Sequence, residues 1–212
     1  HNNKIEQQEA HLLRQKHGDK AGRYWVPAMA DTPLRGANGR HEWFWEPDDE
    51  DNILSLDELV DKYEKSVGRN ATLILGLTPD PEGLIPEGDS KRLREFGEEI
   101  KRRFDKPLAT AADSSTVITL KLDKPSRVNY CVIQEDISRG ERIRKYRVDA
   151  LSDGEWITVA QGESVSHKRI QPFRAVEATA LRLTVEESRA LPIVSAFRAF
   201  NVTMDSEENG TR

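Results

Sequence analysis

The stretch HEWFWEPDDED, residues 41–51, gathers the side chains of this sequence best suited to chemistry. His41 and Glu42 precede three adjacent rings, Trp43, Phe44 and Trp45, and Glu46, Asp48, Asp49, Glu50 and Asp51 follow them. An indole offers a flat apolar face to the C–H side of a sugar ring, and an imidazole or carboxylate beside it directs hydrogen bonds to the hydroxyls. Carbohydrate recognition therefore suits the stretch, and so does ordinary core packing of large rings. In a strand, neighbouring side chains point to opposite faces, so Trp43 and Trp45 would share one face and Phe44 would take the other.

Other candidates carry less. The acids at 46–51 offer the oxygens that calcium takes, but without the spacing or the turn glycine of an EF-hand loop. Acids just before a helix also favour the positive end of its dipole. His11, His17, His41 and His167 are widely separated and form no metal-binding pair, so no metal is expected. There is no nucleophile elbow, phosphate loop or dinucleotide fingerprint, and no cofactor is expected. The single cysteine, Cys131, lies in the apolar run VNYCVIQ; it excludes an internal disulfide framework and predicts a buried, unreactive thiol.

These groups need elements to hold them. Residues 4–17 have the pattern of a weakly amphipathic helix ended by Gly18. RYWVPAMADTPLRG reads as a strand running into a loop, since Pro27 and Pro33 forbid a helix. SLDELVDKYEKSVG predicts a helix with Ser55 and Glu58 as a capping box, a stripe of Leu56, Leu59, Val60, Tyr63 and Val67, and Gly68 at its C-cap. ATLILGL follows as the kind of strand buried on both faces of a parallel sheet. A proline-rich loop leads to a second helix with Leu93, Phe96, Ile100 and Phe104 on one side. This alternation of strand and helix is α/β grammar.

Past Lys106 the grammar changes. Seven short runs, STVITLKL, RVNYCVIQE, IRKYRVDAL, EWITVAQG, HKRIQPF, ATALRLTVEES and PIVSAFRAFNV, predict an antiparallel β-sandwich. Tyr146, Val148 and Ala150 face one way and Arg147 and Asp149 the other; Leu181, Leu183 and Val185 share a face. The expected organisation is α/β over residues 1–106, all-β over 107–204, and a polar tail over 205–212.

Composition narrows the partners. A net charge of −5, with no basic stripe, argues against nucleic acid. No run approaches the roughly 18 apolar residues of a membrane span, and no membrane partner is expected. Hydrophobic residues make up 36% and mean hydropathy is −0.70, yet the apolar positions are periodic, which favours folded structure. The sequence opens without Met or the apolar segment of a signal peptide and reads as a chain that begins mid-protein.

Three stretches together resemble the family 29 glycoside hydrolases, the α-L-fucosidases: YWVPAMADTPLRG, HEWFWEPDDED and SVGRNATLILGLTPDPEGLIPEGDSKRLREFGEEI. Residues 116–202 are similar to the discoidin-like (galactose-binding-like) β-sandwich that often follows the catalytic barrel in that family. The resemblance implies a partial (β/α) barrel segment, its C-terminal part, followed by that sandwich. It implies a fucosylated glycan as substrate and retaining hydrolysis of terminal α-L-fucose in the intact enzyme. The Asp nucleophile and Glu acid/base of the family lie upstream of the segment where this chain begins, so no catalytic residue is expected in it. The chain alone is expected to be inactive, with a companion chain as the possible source of the N-terminal barrel half. Met29 stands where many relatives carry Glu, which removes one candidate carboxylate.

By position, Trp43 and Trp45 resemble the aromatics lining the fucose pocket, with His41 and Glu42 at the same strand mouth, as substrate-binding residues. The triplet is then a barrel strand with Phe44 packed against helices and the indoles facing sugar. The alternatives are a non-catalytic carbohydrate-binding module or an inactive fragment. An extracytoplasmic location, whether periplasmic, secreted or at the cell surface, follows by analogy.

Overall fold

A computed structural model describes residues 28–36 and 43–203. The helix expected over 4–17, the start of the first strand, His41, Glu42 and the tail from 205 lie outside the described residues.

The first part of the chain pairs β1, Ala28–Pro33, with β2, Ala71–Gly76, in parallel, register running from Ala28↔Ala71 to Pro33↔Gly76. Parallel neighbours need a crossover, and α1, Leu56–Ser66, provides it. The capping box forms as its sequence dictates: Ser55 N donates to Glu58 Oε2 at 2.8 Å and Glu58 N donates to Ser55 Oγ at 3.3 Å. After β2, a loop leads into α2, Glu87–Phe104. Leu34, Leu54 and Leu59 form a small core with Ile53, Leu75, Leu77, Leu93 and Phe96. Burial of β2 on both faces, expected from ATLILGL, is not what the structure has. Leu73 and Leu75 are half-buried, whereas Ile74 is exposed, as is Met29 across the pair. Among the described residues, helices cover only one face.

The rest is an antiparallel sheet of six strands: β3 (Ala109–Asp113), β4 (Val117–Glu135), β5 (Ile143–Ser152), β6 (Glu155–Gly162), β7 (Arg169–Ser188) and β8 (Val194–Phe200), in the order β3-β8-β4-β7-β5-β6. The seven expected runs are thus five strands, and β3 is one more. STVITLKL and RVNYCVIQE, expected as separate strands, are one: the chain passes through DKPS, 123–126, inside β4 with a register shift between Lys121 and Ser126. Such a shift kinks a strand without ending it, and proline costs the ladder one donor at that point. Likewise β7 absorbs two runs. Both long strands serve two halves of the sheet: the 130–135 end of β4 pairs with β8, and the 180–188 end of β7 pairs with β5.

The main core draws on both halves, with Ile118, Ile133, Tyr146, Val148, Leu181, Leu183 and Phe197 all in one cluster. The alternation read for β5 and β7 holds. Tyr146, Val148 and Ala150 are fully buried in that core. On the opposite face Asp149 accepts from Thr158 Oγ1 at 2.8 Å, Arg147 Nε at 3.0 Å and Arg182 Nη2 at 3.0 Å. Burial pushes the Asp149 carboxyl up, but these donors outweigh it and hold the group below its ordinary value. Cys131 is fully buried, and burial pushes its thiol up to about 12, as an inert cysteine requires.

A second apolar cluster, Tyr130, Val132, Ile170, Phe200 and Val202, meets Tyr63 of α1 and Phe104 of α2. Phe104 lies edge-on to Phe200, with centroids 5.6 Å apart. Polar groups lock the same contact. Arg103 Nη1 reaches Glu64 Oε1 at 3.2 Å, and the Tyr130 hydroxyl donates to Glu64 Oε2 at 3.3 Å. Ile170 N donates to Gly68 O at 2.9 Å, and His167 N to Asn70 Oδ1 at 2.9 Å. Gly68 does follow the helix end, but the left-handed residue there is Asn70, at φ 66°. Glycine is needed at 68 for space, since a Cβ would lie 2.3 Å from Glu64 O.

Candidate functional site

Pro33 and Gly76 are the last residues of parallel strands, so both mark the carboxyl end of the pair, where open α/β sheets and barrels gather their sites. The backbone beyond β1 is tied there. Leu34 N donates to Gly76 O at 2.9 Å, Leu54 N to Leu34 O at 2.9 Å and Gly36 N to Asn52 O at 2.8 Å. Residues 34–36 are therefore clasped between the end of β2 and residues 52–54, and Arg35 and Ile53 form an isolated antiparallel bridge.

The aromatic triplet sits at this end but not as expected. Residues 43–46 lie outside every strand, and Phe44, which the strand reading packs inward, is 84% exposed. That reading is corrected: β1 takes β2 as its partner, and alternation has no force where no ladder holds the chain. Trp43 is anchored differently. Its Cζ3 would lie 2.9 Å from a Cβ on Gly76, so the indole rests on bare backbone at the strand end while staying 46% exposed. Trp45 is half-buried. The structure thus places Trp43 at the strand mouth, and His41 and Glu42 fall outside the described residues.

Gly76→Ala is expected to displace the indole, because the methyl would meet the ring inside contact distance. The check is the emission of Trp43 in a background where the other tryptophans are phenylalanine. A shift to longer wavelength is expected, and an unchanged spectrum would show that the ring does not rest on Gly76.

Sequence reasoning missed a buried ionic cluster beneath this surface. Arg35 Nη2 donates to Asp89 Oδ1 at 2.8 Å and Arg35 Nε to the same oxygen at 3.1 Å. Arg35 Nη1 stands 3.6 Å from Asp49 Oδ2. The three side chains are 3%, 0% and 7% exposed. Of the acids at 46–51, Glu50 and Asp51 do approach a helical turn, the 3-10 turn Glu50–Asn52, while Asp49 turns inward to Arg35 and accepts from Asn52 Nδ2. Desolvation works to lower the Arg35 pKa, but Asp89 and Asp49 outweigh it and hold the guanidinium above its ordinary value. No local signal marks this cluster, because Asp89 in the first turn of α2 looks like any acid at a helix start. Thr78, two residues past Gly76, is buried with no partner for its hydroxyl among the described residues. No group of three or more His, Cys, Asp or Glu able to hold a metal stands together among the described residues.

Comparison with known proteins gives this geometry its context. The family described as alpha-L-fucosidase matches residues 21–103. Alpha-L-fucosidase 1 of Arabidopsis thaliana is 30% identical over 215 residues, 84% of this chain and 41% of that protein. A Bacteroides thetaiotaomicron protein assigned to the α-L-fucosidases, known from its crystal structure, is 67% identical with a TM-score of 0.89 over 91% of this chain and 44% of its own. A glycoside hydrolase 29 family member from a rumen bacterium is 30% identical with a TM-score of 0.77, over 89% of this chain and 36% of that one. The chain therefore spans about two fifths of the curated relatives it matches. These relatives define a class, the glycoside hydrolases. Within that class, the chain belongs to the α-L-fucosidase family.

Proposed function

We propose that the chain is the C-terminal part of an α-L-fucosidase that removes terminal α-L-fucose from glycans by retaining hydrolysis. In this reading residues 1–106 are a partial (β/α) barrel segment, 107–204 a discoidin-like β-sandwich and 205–212 a polar tail. The two halves of the antiparallel sheet, sharing β4 and β7 around one core, support the sandwich. Retaining hydrolysis takes two carboxylates on either side of the scissile bond. Here they are supplied from upstream sequence, in the same polypeptide or in a companion chain, and this chain supplies part of the sugar's wall. The location proposed is outside the cytoplasm, where glycans are met.

The observation that carries the reading is the Trp43 indole, seated on Gly76 at the carboxyl end of a parallel strand pair and left accessible. A face fixed on rigid backbone loses little freedom when a pyranose stacks on it, and an apolar wall suits the methyl of a 6-deoxy sugar. Trp45, His41 and Glu42 complete the proposed substrate-binding set.

Two assays test this. The 212-residue chain alone should not cleave an aryl α-L-fucoside; turnover by it would overturn the assignment of both carboxylates to upstream sequence. In the complete enzyme, Trp43→Ala with Trp45→Ala should raise KM by about tenfold or more, the cost of a lost stacking face. Unchanged KM would remove the indoles from the site.

A further inference from the structure

We propose that Arg35 is a positioning residue for the Trp43 wall, acting through a buried clamp with Asp49 and Asp89. The proposal rests on the reading of Trp43 as sugar-facing. Three separate pieces of chain meet at this guanidinium: the end of β1, the acidic stretch after the aromatic triplet, and the first turn of α2. Asp89 is fully buried and takes both Nε and Nη2, the fork that only arginine offers. That leaves Nη1 for Asp49, whose own backbone carbonyl accepts from Asn52 N at 3.2 Å and closes the turn that follows.

The clamp gives the aromatic stretch its footing. Residues 43–46 lie outside every strand, so no ladder fixes them and contacts on either side share in holding them. At one end is the contact of Trp43 with Gly76; at the other is Asp49, held by Arg35. A buried carboxylate that loses a cation becomes costlier to keep in place, so weakening the Arg35 pair would let Asp49 shift towards water and loosen the stretch with it. Arg35 touches no substrate in this scheme. It sets where the indole stands.

The test uses the complete fucosidase carrying this chain. Asp49→Asn is the informative variant, because it discharges the loop side and leaves the Arg35–Asp89 pair that secures α2. Arg35→Lys removes the fork and is its companion. Both are expected to raise KM for an aryl α-L-fucoside about tenfold while kcat stays within about twofold, the pattern of lost ground-state positioning. Backbone amides over 43–54 should exchange with solvent at least about tenfold faster. Trp43→Ala is run alongside. If it raises KM while Asp49→Asn changes neither KM nor exchange, the clamp is overturned. If Asp49→Asn speeds exchange but Trp43→Ala leaves KM unchanged, the sugar-facing reading fails and the proposal falls with it. A drop in kcat at unchanged KM would also overturn it.

Discussion

Replacing Glu135 with alanine is expected to cost about 3–5 kcal/mol of folding stability, because the carboxylate serves three backbone donors at once. Its Oε1 accepts from Arg142 N and Ile143 N, each at 3.1 Å, and its Oε2 accepts from Ser166 N at 2.8 Å. The residue is 3% exposed, so water does not replace it, and each orphaned N–H keeps most of its desolvation cost. Glu135→Gln should recover only part, since one oxygen can still serve Arg142 and Ile143 while the amide NH2 faces the Ser166 donor. Burial pushes the Glu135 carboxyl above its ordinary value, and the three donors pull it back only in part. The folded chain therefore holds this proton more tightly than the unfolded one. The stability it contributes is complete below the ordinary glutamate range and declines as pH rises through the raised value. Urea unfolding of the wild type and Glu135→Gln between about pH 4 and 8 should show their difference shrinking as pH rises. A difference that grows would mean the donors outweigh burial.

What could be read from the sequence follows the range of each interaction. The capping box of Ser55 and Glu58 spans one turn and was legible, as was the apolar stripe that gives α2 Leu93 and Phe96. The faces of β5 were legible because Tyr146, Val148 and Ala150 alternate strictly with polar residues and meet one core. The long strands were not, since DKPS carries every local mark of a turn and only pairing with β7 on both sides keeps β4 continuous. The aromatic triplet failed for a related reason: three large rings look like a strand, but β-propensity measures fit to a sheet, and among the described residues no neighbour offers one. Phe44 ends exposed while Trp43 finds its floor in Gly76, a residue far along the chain. The Arg35 cluster was illegible for the same reason, its Asp89 partner being 54 residues away. In each case the missing information is tertiary, and at the candidate site nearly all of it is.

Gly68→Ala is the second large effect expected, and it bears on how the strand pair and the antiparallel sheet are held together. The added Cβ would stand 2.3 Å from Glu64 O, 3.1 Å from Glu64 C and 2.9 Å from Ile170 Cβ. Neither neighbour can easily yield. Glu64 O belongs to helix backbone, and Ile170 is drawn towards Gly68 by its own N–H, which donates to Gly68 O at 2.9 Å. Relief must come from moving the end of α1 off β7, which also strains the His167 bond to Asn70 and the Glu64–Arg103–Tyr130 interlock beyond it. Overpacking of this kind costs about 1–3 kcal/mol, and more where backbone is the obstacle. In a chain of this length, Tm should fall by roughly 2–4 °C per kcal/mol. The signature is local: the amides of His167 and Ile170 should lose hydrogen-exchange protection before the main core around Leu183 and Phe197 does. Adding Ile170→Gly should restore only part of the loss, because it removes the Cβ at 2.9 Å and leaves the 2.3 Å contact with Glu64 O. Full restoration would place the strain on the sheet side of the junction, and unchanged protection at both amides would show that the helix end and β7 do not meet as tightly as Gly68 requires.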